Sequence, residues 1–121
     1  MRVYTVVLVL TVAPAVLAGY FQYFDNFKNI NDEDVIDCMV KEKIDSCSDI
    51  LREIKDKFDD ILATNCGECD VEEREEFMKY AAGFTHRHAD VSKMILDRYD
   101  PERKYEKKYG ETWAEKGIAL L

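Results

Sequence analysis

The chain has 121 residues, of which 25 are acidic and 17 basic, for a net charge of −8. That surface repels phosphate backbones and anionic lipid headgroups, so nucleic acid and stable membrane insertion are excluded as roles for the folded part. The length supports one domain with a single modest core, and the acidity reads as a soluble, self-repelling exterior.

At the start, Met1 and Arg2 form a short basic segment, Val3 to Val16 is mostly apolar, and Val16-Leu17-Ala18 offers small residues at a cleavage position. This is the pattern of a secretory signal peptide over residues 1–18, leaving a helical domain over 19–121. A membrane anchor would need about 20 uninterrupted apolar residues, whereas this run meets Pro14 and stops at Gly19. Export to an extracellular, oxidising environment lets cysteines remain joined.

The rest reads as helix, since alternating β-branched strand patterns are missing. Val35, Ile36, Met39, Val40 and Ile44 fall three and four apart, a stripe on a first helix that Asn31 or Asp32 caps. A second helix opens near Ser48 and carries Ile50, Leu51, Ile54, Phe58, Ile61 and Leu62 on one face. Asp70 and Glu73 have the spacing of a capping box at the start of a third, whose buried face holds Phe77, Met78, Ala81, Ala82 and Phe84. A fourth helix, Ala89 to Arg98, shows Val91, Met94, Ile95 and then Tyr99, and Asp100-Pro101 ends it. Pro101 suits the first turn of a last helix through Tyr105 and Tyr109, followed by a tail with Trp113 and apolar Ile118 to Leu121. The paired acids Asp59-Asp60 and Glu72-Glu73 read as solvated helix faces. The fold class is therefore all-α, a small bundle of five or six short helices.

Four cysteines, Cys38, Cys47, Cys66 and Cys69, follow the order C-x8-C-x18-C-x2-C. Four cysteines allow three connectivities, and the residues alone leave the choice open. Joining Cys38 to Cys47 would contribute about 2.7 kcal/mol and Cys66 to Cys69 about 1.9 kcal/mol on a loop-entropy estimate, with more from longer loops. A redox role for Cys66-Gly67-Glu68-Cys69 lacks the βαβ frame that such sites use. His86 and His88 lack the spacing of a zinc site and read as a solvated loop, so no metal is expected. No Gly-x-Ser-x-Gly elbow announces a hydrolase.

Around the cysteines stand Phe24-Asp25-Asn26, Thr64-Asn65-Cys66-Gly67-Glu68-Cys69, Tyr99-Asp100-Pro101 and Tyr105-Glu106-Lys107-Lys108-Tyr109. In this ordered set the chain resembles the insect chemosensory protein family. The resemblance implies about six helices around an apolar channel, cysteines joined as Cys38–Cys47 and Cys66–Cys69, and binding of long-chain fatty acids, esters, alcohols or similar pheromone-like compounds. It implies neither catalysis nor a cofactor. The stretch from Phe24 to Cys38 is shorter than is usual for the family, so a trimmed or missing first helix is expected. Phe24 stands where a tyrosine often lies at the channel mouth, and Val91 and Ser92 stand where many members place a tryptophan.

An acyl chain gains about 0.8 kcal/mol per buried methylene, so a guest needs a lined tunnel and little polar chemistry. The expected ligand contacts are Phe24, Ile36, Met39, Val40, Ile54, Phe58, Phe77, Met78, Phe84, Val91, Met94 and Ile95. The flexible methionines among them suit differently shaped guests, although the same residues also serve as ordinary core. The expected protein is a secreted, monomeric, non-enzymatic carrier of a small hydrophobic ligand. The alternative is a secreted effector or interaction protein on the same scaffold, its apolar groove receiving a partner.

Overall fold

The computed structural model describes residues 19–118. The expected signal peptide over 1–18 and the last three residues of the apolar tail lie outside the described residues. In chain order there is a 3-10 turn (Phe24–Asn29), α1 (Asp32–Met39), a second 3-10 turn (Ile44–Ser46), α2 (Asp49–Thr64), α3 (Val71–Arg87), α4 (Ala89–Tyr99) and α5 (Lys104–Glu115). The all-α bundle forms as expected, and both disulfides are local, Cys38–Cys47 and Cys66–Cys69.

Local chemistry accounts for most helix starts. Asn31 Oδ1 accepts the Asp34 amide at 2.8 Å, and Ser48 Oγ accepts that of Leu51 at 3.4 Å. Asp70 and Glu73 form the reciprocal box at the head of α3. In the turn before it, a Cβ on Gly67 would sit 2.9 Å from the Thr64 carbonyl oxygen, so the two-residue span between Cys66 and Cys69 needs a glycine there.

Three sequence expectations about where helices end and begin are corrected. Ile44 does not continue the stripe of α1: the helix ends at Met39, and Ile44 is 68% exposed. Nine residues of helix would separate Cys38 from Cys47 by about 13.5 Å, whereas their Cα atoms lie 5.0 Å apart. The chain therefore reverses, through a left-handed Glu42 at φ 55. Pro101 does not open the last helix. It lies in a turn, and α5 begins at Lys104, where the buried Asp100 carboxylate accepts the amides of Tyr105 at 3.2 Å and Glu106 at 3.0 Å. Trp113, assigned to a tail, is inside α5 and buried. The tail proper starts at Gly117, whose φ of +86 returns the chain so that Ile118 donates its amide to the Trp113 carbonyl and is buried.

Where a longer first helix was expected to be trimmed, an aromatic strap runs across the bundle. Four consecutive amides of this strap end on two carboxylates. Glu73 accepts Tyr20 (3.0 and 3.1 Å) and Phe21 (2.8 Å), and Glu53 accepts Gln22 (2.7 Å) and Tyr23 (3.0 Å). Lys57 Nζ donates to the Tyr20 carbonyl and to Glu53, and lies 4.5 Å from the centre of the Tyr20 ring. Phe21, Phe24 and Phe27 stack in sequence, and Phe21 and Phe27 both meet Phe77 of α3. The reading of Glu73 as a solvated helix face is thereby overturned: its residue is 2% exposed, because the strap lies over it.

Candidate apolar binding cavity

All five helices contribute side chains to one apolar cavity of about 150 Å³. Phe27 and Ile30 close one side, with Val35 and Met39 from α1 beside them. Leu51, Ile54, Phe58, Ile61 and Leu62 of α2 face Phe77, Met78, Tyr80, Ala81 and Phe84 of α3. Ile95 and Leu96 of α4, Trp113 of α5 and Ile118 complete the wall.

The polar side chains on this wall are engaged with protein partners. Trp113 Nε1 donates to Asn65 Oδ1 at 2.7 Å, Thr85 Oγ1 to the Ala82 carbonyl at 3.1 Å, and Ser92 Oγ to the His88 carbonyl at 3.0 Å. Tyr80 OH donates to Asp32 Oδ1 at 2.6 Å. With these groups satisfied, the space presents hydrocarbon to a guest.

Of the residues expected to meet a ligand, Met39, Ile54, Phe58, Phe77, Met78, Phe84 and Ile95 line the cavity. Phe24, Ile36, Val40 and Val91 pack against the core without reaching it. Met94 is 52% exposed, which corrects its placement on a buried face. The buried side of α4 runs through Ser92, Ile95 and Leu96, and at 3.6 residues per turn Met94 projects across the helix from them. A serine can lie inward there because its hydroxyl bonds back to the carbonyl four residues earlier.

Among the wall residues absent from the expected contacts, Phe27, Ile30, Tyr80, Leu96, Trp113 and Ile118 were placed on no helix face, whereas Val35, Leu51, Ile61, Leu62 and Ala81 were placed on buried faces only. Two signals were available: Phe27 is three residues beyond Phe24, and Tyr105, Tyr109 and Trp113 recur every four residues along α5. Ile118 has no such signal, since its position depends on the turn at Gly117.

At the edge of the cavity Asp32 ties α1 to α3 and to His88 at the α3–α4 junction. Arg87 donates to it through Nε at 2.6 Å and Nη2 at 2.9 Å, and His88 Nε2 lies 2.9 Å from Oδ2. The Arg87 hydrogen bond holds the Asp32 carboxyl well below the usual carboxylate range, with burial opposing and Tyr80 and His88 assisting. Burial and the bond to Asp32 push the Tyr80 phenol far above its ordinary value. For Glu53, burial works upward, but Lys57 and the amides of Gln22 and Tyr23 outweigh it and leave the carboxyl lowered.

Because both carboxyls are lowered in the folded state, their contribution is fully present above the unfolded carboxylate pKa of about 4 and is lost as pH falls through the folded values. Asp32→Asn is therefore expected to flatten the acid limb of stability, read as the urea midpoint between about pH 7 and pH 2. An acid limb as steep as the parent's would contradict this role.

His86 is exposed at the end of α3 while His88 points to Asp32, and among the described residues no group of three or more His, Cys, Asp or Glu side chains could hold a metal. No helix among the described residues is long and apolar enough to cross a membrane. Residues 23–107, more than half of the chain, match the family described as the insect pheromone-binding family, A10/OS-D. No curated protein and no solved structure matches the chain.

Proposed function

The chain belongs to the insect pheromone-binding family A10/OS-D, and on that premise we propose that it is a secreted, monomeric carrier holding small hydrophobic molecules in the cavity between its helices. The observation that carries this reading is an apolar space between the helices whose polar wall groups are bonded to the protein itself. Two disulfides support a life in an oxidising compartment. Fatty acids, esters and alcohols are the guests whose chemistry suits such a wall, and the role involves no catalytic step.

Size refines the choice. An apolar cavity of about 150 Å³ takes up a benzene-sized guest without rearrangement, so longer chains require the wall to yield. Met39 and Met78 are the wall residues best able to do so, being unbranched and adaptable. Because Trp113 is the chain's single tryptophan and lines the space, its emission reports occupancy directly.

Titration with linear alcohols of increasing length is expected to shift that emission, with affinity rising about fourfold per methylene until the wall can yield no further. An emission unchanged across the whole series would overturn the carrier reading and favour an interaction protein on the same scaffold.

A further inference from the structure

A second, more polar groove of about 420 Å³ lies between α3 and α5, next to the cavity. Three residues, Asn65, Met78 and Trp113, belong to both walls. From this arrangement we propose that the groove seats the carboxylate of a long-chain acid while its tail passes beside Met78 into the cavity. The proposal rests on the carrier reading above and adds to it a headgroup site and a way in.

The chain as a whole carries −8, yet the groove is lined by Arg74, Lys79 and Lys116 against the single carboxylate of Glu75. Lys79 and Lys116 are exposed, and neither has an ion-pair partner among the described residues. Arg74 gives its hydrogens to the carbonyls of Cys66, Gly67 and Cys69, which are neutral and leave its charge uncompensated. An anion arriving here meets a local positive field on a protein that repels it elsewhere.

The two spaces divide the work between a fixed side chain and a movable one. Trp113 is held by its bond to Asn65, which makes it a fixed post. Met78 has no comparable bond to hold its thioether, and its three rotatable bonds let it swing at low cost. On the outer side, Val71 is 66% exposed at the groove, offering apolar surface to the first methylenes of a chain before they enter. The cavity wall has no charged side chain that could neutralise a buried carboxylate. A charged head therefore has to remain outside, and this groove supplies the counter-charge across the shared wall of Asn65, Met78 and Trp113.

The test compares dodecanoic acid with its methyl ester, both followed through Trp113 emission, in the parent chain and in the double variant Lys79→Glu, Lys116→Glu. Reversing two exposed charges is expected to weaken the acid about tenfold and leave the ester within about twofold. Added salt should narrow the gap between acid and ester in the parent. Acid affinity unchanged by the double variant, or an equal loss for both probes, would overturn the headgroup site while leaving the carrier reading in place. Failure of the parent to bind either probe would remove both.

Discussion

Glu73→Ala is expected to release the N-terminal strap and destabilise the fold by about 3 kcal/mol or more, since hydrogen bonds to a charged acceptor are worth about 1.5–3 kcal/mol each. The Glu73 carboxylate accepts the amides of Tyr20, Phe21 and Asp70, so its loss strands buried donors and also breaks the capping box of α3. The approach is tight enough that Gly19, at φ +72, would bring a Cβ within 3.1 Å of Glu73 Oε2. Urea unfolding measures the loss, and Glu72→Ala, one residue away and exposed, serves as the control, expected to stay within about 0.5 kcal/mol. Limited proteolysis should cut the variant first near Tyr20–Tyr23. Because Phe21 supports Phe77, and Phe27 closes the cavity, guest affinity should fall together with stability. Equal stability of the two variants would show that Glu53, Lys57 and the aromatic contacts hold the strap without Glu73.

Ala81→Phe is expected to abolish uptake while leaving a folded helical domain. Ala81 faces the cavity from the middle of α3, near Met78 and Thr85 on the same side. A ring placed in a space of about 150 Å³ leaves no room for a benzene-sized guest. Overpacking should cost about 1–3 kcal/mol, a loss visible as a lower urea midpoint but short of unfolding. Binding, read by displacement of a fluorescent apolar probe, should weaken at least tenfold, an order-of-magnitude expectation from the lost contact area. Met94→Ala should change nothing, because Met94 faces away from the cavity. Undiminished uptake by a folded Ala81→Phe chain would place the guest elsewhere.

The acid limb set by Asp32 and Glu53 bears on the same architecture. Each of these carboxylates fastens elements far apart in sequence: Asp32 joins α1 to the end of α3, and Glu53 joins α2 to the strap. A drop in pH thus weakens the two fastenings that border the cavity before it touches the apolar packing inside it.

Much of the fold was legible because its signals are short-ranged. Asn31, Ser48 and Asp70 cap their helices with groups only three residues on, and the stripe of α2 follows from its 3.6-residue period. The disulfide pairing followed from resemblance, not from spacing, and so did the apolar interior. The face of α4 was misread because Met94 is more hydrophobic than Ser92, yet a back-bonded serine tolerates burial and the neighbouring helices choose the side. Glu73 was read half correctly, as a cap, since its bond to Asp70 is local while those to Tyr20 and Phe21 span more than fifty positions.

By itself, then, the amino-acid order determined that this chain is helical, where most of its helices begin, and that its surface is strongly acidic, because each of these depends on neighbours within a turn or two or on composition alone. Only the tertiary structure decided which side chains enclose the cavity, that Trp113 and Ile118 belong to its wall, and that two carboxylates bind the strap across it. Those outcomes depend on which distant segments meet, and burial, partner and field at a residue are properties of that meeting.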